Sequence, residues 1–189
     1  DLRGRALLMF QPGEEGFHGA RFMLEEGLLE DGPHGAGDVR RAVALHISTR
    51  YAAGVVALRP GSMLASADRI VATVRGRGGH ASTPHLALDP VTVTAELILA
   101  LQSMITRRVD VFDPAVLTIT RLAGGTTNNI IPASVDIEGT IRTVSETVRA
   151  SVAAWVRQVA AGVAAAHGAE IDLEIVPGYP VTMNDPAVT

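Results

Sequence analysis

Between Asp68 and Val176 the spacing of apolar residues switches repeatedly between two periods, and the order of those switches restricts the fold more than any other feature of the chain. Ile70, Ala72 and Val74 alternate with their neighbours over 68–76, the pattern of a strand with one buried face. Asp89-Pro90 supplies an N-cap and a first-turn proline, and Val93, Leu97, Leu101 and Met104 or Ile105 form one helical stripe to about Arg107. Residues 116–122 and 135–142 alternate again. Ser145 caps a second stripe of Val148, Val152, Trp155, Val156, Val159 and Val163, Gly168 ends it, and 171–176 is a last strand closed by Pro177-Gly178. Strand, helix, strand, strand, helix, strand is the split βαβ order of a ferredoxin-like α+β domain, with one antiparallel sheet and both helices on one face. The other face and the edges then need cover, which often comes from a partner subunit.

Arg59-Pro60-Gly61 punctuates the chain, and a domain boundary is expected at about 60–66. Before it the pattern is of another kind. Residues 5–10 and 42–47 are continuous apolar runs, expected as buried strands, and 54–58 is a third short strand. Phe17, Ala20, Leu24 and Leu28 predict a helix over about 17–27, with Gly27 as its C-terminal glycine. Between the first strand and this helix lies Gln11-Pro12-Gly13-Glu14-Glu15-Gly16. Two carboxylates thus sit in a turn at the carboxyl end of a strand, where open α/β sheets place their ligand crevice. Adjacent side chains point in different directions, so one can bind a metal while its neighbour faces a water as general base. The ordinary alternative is a solvated acidic pair at a helix start. His46 lies near the carboxyl end of the 42–47 run, opening toward the same crevice if the two strands are neighbours; a lone histidine there is more often structural.

Composition narrows the function classes. A chain of 189 residues, 47% hydrophobic and 19% charged, packs rather than staying disordered. A net charge of −4 and a pI near 5.8 argue against nucleic-acid and membrane-surface partners. No apolar run approaches the roughly 18 residues that span a bilayer. With no cysteine there is neither a disulfide framework nor a thiolate metal site, and a cytoplasmic protein is expected. The loop 76–80 lacks the Lys-Ser/Thr of a phosphate-cradling loop. Asp1-Leu2-Arg3-Gly4 runs almost at once into a core-type strand, and the chain stops after Asn184-Asp185-Pro186 without a capping element, so a segment of a longer protein is expected.

Several short stretches carry a family resemblance: Phe10-Gln-Pro-Gly-Glu-Glu-Gly16, Ala44-Leu-His46, Arg59-Pro-Gly61, Gly78-Gly-His-Ala81 with Pro84-His85, Asp89-Pro90, Asn129-Ile-Ile-Pro132, Glu138-Gly-Thr-Ile-Arg-Thr143, and Tyr179-Pro180 with Asn184-Asp185-Pro186. Together they make the chain resemble the M20 metallopeptidases, in particular the aminoacylase branch of hippurate hydrolases and indole-acetyl-amino-acid amidohydrolases. The resemblance implies an α/β catalytic domain interrupted by a ferredoxin-like dimerisation, or lid, domain. On this chain that gives 1–61 and 177–189 to the catalytic part and 62–176 to the lid.

The resemblance also implies a metal-activated water that cleaves the amide bond of an N-acyl amino acid. Glu14 would be the general base, Glu15 and His46 metal ligands, and His80 the lid histidine that stabilises the oxyanion in a neighbouring subunit's site. Asn129 and Arg142 would grip the substrate, including its free carboxylate. A homodimer through 62–176 is implied, with two divalent ions per site in the intact protein; carboxylate and imidazole ligands suit Zn, Mn, Co or Ni. The further ligands that the resemblance predicts, a Cys-x-His type pair and an Asp upstream and a His downstream, are missing from this chain, and two protein ligands do not complete a zinc site. Taken without the resemblance, His80 and His85 are ordinary loop histidines, Asn129 a turn residue and Arg142 a strand-edge charge. His34 is a loop residue and His167 a helix C-terminal cation. The competing reading is a ferredoxin-like dimerisation or small-ligand-binding module without chemistry of its own.

Overall fold

The computed structural model describes residues 5–31, 37 and 39–189. The expectations placed on residues 1–4 and on His34 lie outside the described residues. The chain divides into two compact units, one ending at Ala57 and the other running Leu58–Ala187.

In the first unit the helix α1 spans Gly19–Glu25, shorter at both ends than the expected 17–27, and Gly27 follows its C-cap with a positive φ of 87°. The runs 5–10, 42–47 and 54–58 form no ladder among the described residues. Their apolar side chains stand open to solvent, Ile47 at 91%. The three expected strands are therefore not strands here. An apolar run says that a segment is to be buried, but a strand exists only where another strand pairs with it.

The second unit holds β1 (Gly61–Leu64), β2 (Asp68–Arg75), β3 (Gly79–His80), α2 (Pro90–Arg108), β4 (Ala115–Gly124), β5 (Ile130–Ile131), β6 (Ser134–Thr143), α3 (Glu146–His167), β7 (Glu170–Val176) and β8 (Thr182–Asn184). The four long strands form one sheet in the order β4-β6-β2-β7, and every neighbouring pair is antiparallel. Burial alternates along β2 and β6 as the spacing predicts. Ile70, Val74, Ile137 and Ile141 face the helices, where Leu97 and Leu101 of α2 and Val152 and Val156 of α3 close the core. Each such side chain contributes about 1.5–3 kcal/mol by leaving water.

The predicted caps are made. The Asp89 carboxylate accepts from the Val91 N–H at 2.9 Å, the Ser145 hydroxyl from the Val148 N–H at 3.3 Å, and Gly168 ends α3 in the left-handed region at φ 64°. The opposite face of the sheet, expected to need cover, is polar and partly self-paired: Arg75 meets Asp172 at 2.7 Å, Arg121 meets Glu138, and the Thr73 hydroxyl donates to Asp136 at 2.7 Å.

Two features were not visible in the pattern. The segments by which the chain enters and leaves this unit pair with each other, Gly61 opposite Asn184 and Ser62 opposite Met183. Beside them Asp68, 4% exposed, receives a two-pronged guanidinium from Arg149, Nε to Oδ2 at 2.8 Å and Nη2 to Oδ1 at 2.6 Å. The same carboxylate accepts from the Gly178 N–H at 3.0 Å. Arg149 also reaches Glu146 on its own first turn, and Glu146 accepts from the Val181 N–H at 2.9 Å. One network thus ties the start of β2, the start of α3 and the exit loop after β7.

Burial pushes the Asp68 carboxyl up, but the hydrogen bonds from Arg149 and Gly178 and the charges of Arg149 and Arg142 outweigh it and hold it below the ordinary carboxylate value. For Glu146 the Val181 N–H is the chief lowering cause. A depressed folded pKa stabilises the fold above the unfolded value, and that stability is lost as pH falls below about 3.9 toward the folded pKa. Replacing Asp68 by Asn leaves Arg149 half-buried without its carboxylate. Asp68→Asn is expected to cost about 3–5 kcal/mol at neutral pH and to flatten the acid limb of a plot of Tm against pH. An unchanged acid limb contradicts the assignment.

Candidate functional site

The Glu14-Glu15 turn is shaped by glycine. Gly13 and Gly16 hold φ of 56° and 89°, and the Gly16 N–H donates to the Glu14 carbonyl at 2.9 Å. Both carboxylates are exposed, in the same unit as His46. The His46 ring places Nδ1 2.6 Å from the Ile47 carbonyl oxygen. A carbonyl only accepts, so in the neutral ring Nδ1 carries the proton and Nε2 keeps its lone pair. That is the tautomer a metal ligand needs.

His80 is held in the opposite state. It lies on β3, in register with Ile130 of β5, and the loop closes with the Ala81 N–H donating to the Asn129 carbonyl at 3.0 Å. Its Nδ1 accepts from the Ser82 N–H at 3.2 Å and lies 2.8 Å from the Ser82 hydroxyl. A ring nitrogen that accepts from an N–H bears no proton, so in the neutral ring Nε2 is an N–H donor. The close approach that builds this loop requires glycine at 78: a Cβ there would stand 2.9 Å from the Ile131 carbonyl oxygen. Asn129 is exposed at the end of the same ladder, its Oδ1 accepting from the Thr127 hydroxyl at 3.3 Å. His80 and Asn129 are therefore brought together. The sequence reasoning did not single out Ser82, although a Ser two residues after a loop histidine is a signal for such a turn.

Arg142 is not with them. It projects from the open face of β6 at the end nearest Asp68, where its Nη1 donates to the Ser66 carbonyl at 3.4 Å. The β3–β5 ladder is a separate two-stranded sheet whose strands follow Arg75 and precede Ser134, at the other end of the β2–β6 ladder. The β6 segment from Ser134 to Arg142 alone covers about 25 Å at the rise of an antiparallel strand. A shallow depression of about 290 Å³ surrounds Arg142 on this face and includes Arg69, Thr120 and Thr140. His85 is an exposed residue of the single turn Pro84–Leu86, and His167 bridges to Glu96 of α2 at 2.6 Å. Among the described residues no group of three or more His, Asp or Glu is gathered tightly enough to hold a metal ion. The described residues thus do not make a complete metal site. Glu15 and His46 offer two donors of suitable chemistry.

The model of the peptidase dimerisation domain of the M20 family matches residues 65–167. The chain belongs to the M20 peptidase family. It is 34% identical over 191 residues to thermostable carboxypeptidase 2 of Saccharolobus solfataricus, covering 100% of this chain and 47% of that protein. It is 34% identical over 185 residues to an N-acyl-L-amino acid amidohydrolase of Geobacillus stearothermophilus, covering 97% of this chain and 48% of that one. A crystal structure from Bacillus subtilis, described as a dinuclear metal-binding peptidase from the M20 family, superposes with a TM-score of 0.64 at 29% identity, covering 94% of this chain and 42% of that one. The chain spans about half the length of the curated relatives it matches. No helix among the described residues is long and apolar enough to cross a membrane.

The two histidine tautomers are directly measurable. Nitrogen-15 shifts of the imidazoles are expected to show Nδ1–H for His46 and Nε2–H for His80, and Ser82→Ala is expected to move His80 toward the ordinary mixture while leaving His46 unchanged. An Nδ1–H form of His80 in the wild-type chain contradicts the site as described.

Proposed function

We propose that this chain is the dimerisation-domain half of an M20 amidohydrolase that cleaves the amide bond of N-acyl amino acids with divalent metal ions. The observation that carries the reading is the opposed pair of tautomers, a histidine with a lone pair on Nε2 at 46 and one with an N–H at Nε2 at 80. The relatives with deacetylase, amidohydrolase and carboxypeptidase names act on bonds of this chemistry. The open-face sheet with both helices behind it is the ferredoxin-like lid, over 62–176, and 1–61 with 177–189 belong to the catalytic domain.

In this reading Glu14 takes the proton of the attacking water and later gives it to the leaving amine. Glu15 and His46 contribute two donors to a metal centre whose remaining ligands lie outside this chain, with Zn, Mn, Co or Ni as suitable ions. The Nε2–H of His80, with Asn129 beside it, donates to the oxyanion as charge develops. Arg142 receives the free carboxylate in its planar fork.

The sheet's two edges support a dimer. The β7 edge presents Glu170, Asp172 and Glu174 and repels a like copy. The β4 edge is unpaired, and behind it Val91, Ala95 and Leu99 of α2 with Leu122 line an apolar groove of about 380 Å³, with Leu99 71% and Leu122 56% exposed. A second copy docks there. Because the two ends of one lid are so far apart, Arg142 serves its own subunit's site and His80 with Asn129 serve the partner's.

In the longer protein, Glu14→Gln is expected to lower turnover of an N-acetyl amino acid about 10²–10⁴-fold with bound metal unchanged. Near-wild-type turnover in that variant removes the general base from Glu14.

A further inference from the structure

We propose that Arg69 is the second arm of a two-guanidinium carboxylate site formed with Arg142, a subsite that deepens the reading above and rests on it for the identity of the ligand. The argument begins with charge on the open face of the sheet. Arg75 is paired with Asp172 and Arg121 with Glu138, while Arg149, on the helix side, is paired with Asp68 and Glu146. Arg69 is exposed, and among the described residues its side chain has neither an ion pair nor a hydrogen bond. Arg142 makes one hydrogen bond, the long contact to the Ser66 carbonyl, and its charge also acts on Asp68, which Arg149 already pairs.

These two cations are close neighbours. Arg69 stands opposite Thr140 across the β2–β6 ladder, and Arg142 is two residues further along β6 on the same face. Diagonal neighbours of this kind have their Cβ atoms about 7–8 Å apart, within reach of two long side chains converging on one point. Both line the 290 Å³ depression.

The other charges and hydroxyls of that depression are already engaged. The Glu138 carboxylate belongs to Arg121, the Thr140 hydroxyl donates to the Asp68 carbonyl at 3.2 Å, and the Asp68 carboxylate faces the helix side under Arg149. Two adjacent cations with no anion between them repel, and an anion held by both removes that cost. A single carboxylate has lone pairs enough for two guanidinium forks. A substrate with a free carboxylate therefore fits, and one whose carboxylate is capped as an amide does not.

The test titrates the 189-residue chain with N-acetylglycine and, separately, with N-acetylglycinamide, following the Arg Nε–H signals by NMR. The Arg69 and Arg142 signals are expected to move together and saturate at one Kd with the acid, and to stay in place with the amide. Arg69→Ala is expected to weaken acid binding about tenfold or more. Arg69→Lys, which keeps the charge and loses the fork, is expected to bind with intermediate affinity, and the amide signals of β2 and β6 report whether each variant is folded. The proposal is overturned if Arg142 responds without Arg69, if neither responds, or if a folded Arg69→Ala binds the acid as the wild type does. A longer protein that cleaves no N-acyl amino acid refutes the proposed function instead, and leaves the titration to decide the anion site by itself.

Discussion

The second unit depends on a buried ion pair at its neck. Asp68 begins the first strand of the sheet, Arg149 sits in the first turns of the second long helix, and Gly178 lies on the way out. These positions are 81 and 110 residues from Asp68 along the chain, and the carboxylate joins them at one point. The paired entry and exit strands lie beside it. A buried pair of this kind adds little net stability compared with apolar packing, but removing one partner strands the other charge. Its value is geometric, since it sets where the chain enters and leaves relative to the sheet. It also fixes the local field at Arg142, whose charge adds to that of Arg149 in lowering the Asp68 pKa.

The second unit was legible because its core obeys period. Ile70, Ala72 and Val74, the stripe Val93-Leu97-Leu101, and the caps at Asp89, Ser145 and Gly168 all follow from local chemistry, and the structure uses them as expected. The first unit was less so. Leu45 and Ile47 have strand character, yet pairing is a property of two segments, and none of the described residues pairs with them. The neck was illegible for the same reason in sharper form: nothing local to Asp68 or Arg149 announces a partner 81 residues away. Among the site residues, motifs pointed to His80, His46 and Glu14, whereas the tautomers needed atoms, because they turn on which neighbour a ring nitrogen meets. Arg69 carried no motif, and only its lack of a partner on a face of paired charges marks it out.

The length of the sheet is the remaining constraint. His80 and Asn129 stand past one end of the β2–β6 ladder and Arg142 near the other, with about 25 Å of strand between. No substrate of amino-acid size touches both. The hydrogen-bonded β2–β6 ladder keeps these two ends apart. Under the proposed function, that distance assigns the two ends to the sites of different subunits.

The most direct test of this account is subunit complementation in the longer protein. His80→Ala and Arg142→Ala variants, each inactive alone, are mixed and allowed to exchange, with mixed dimers confirmed by mass. If the two ends of one lid serve different sites, each mixed dimer holds one site with both residues intact. About a quarter of wild-type activity then returns from random pairing of subunits in a symmetric dimer. If mixed dimers form and no activity returns, one subunit supplies both residues to a site and the account is contradicted.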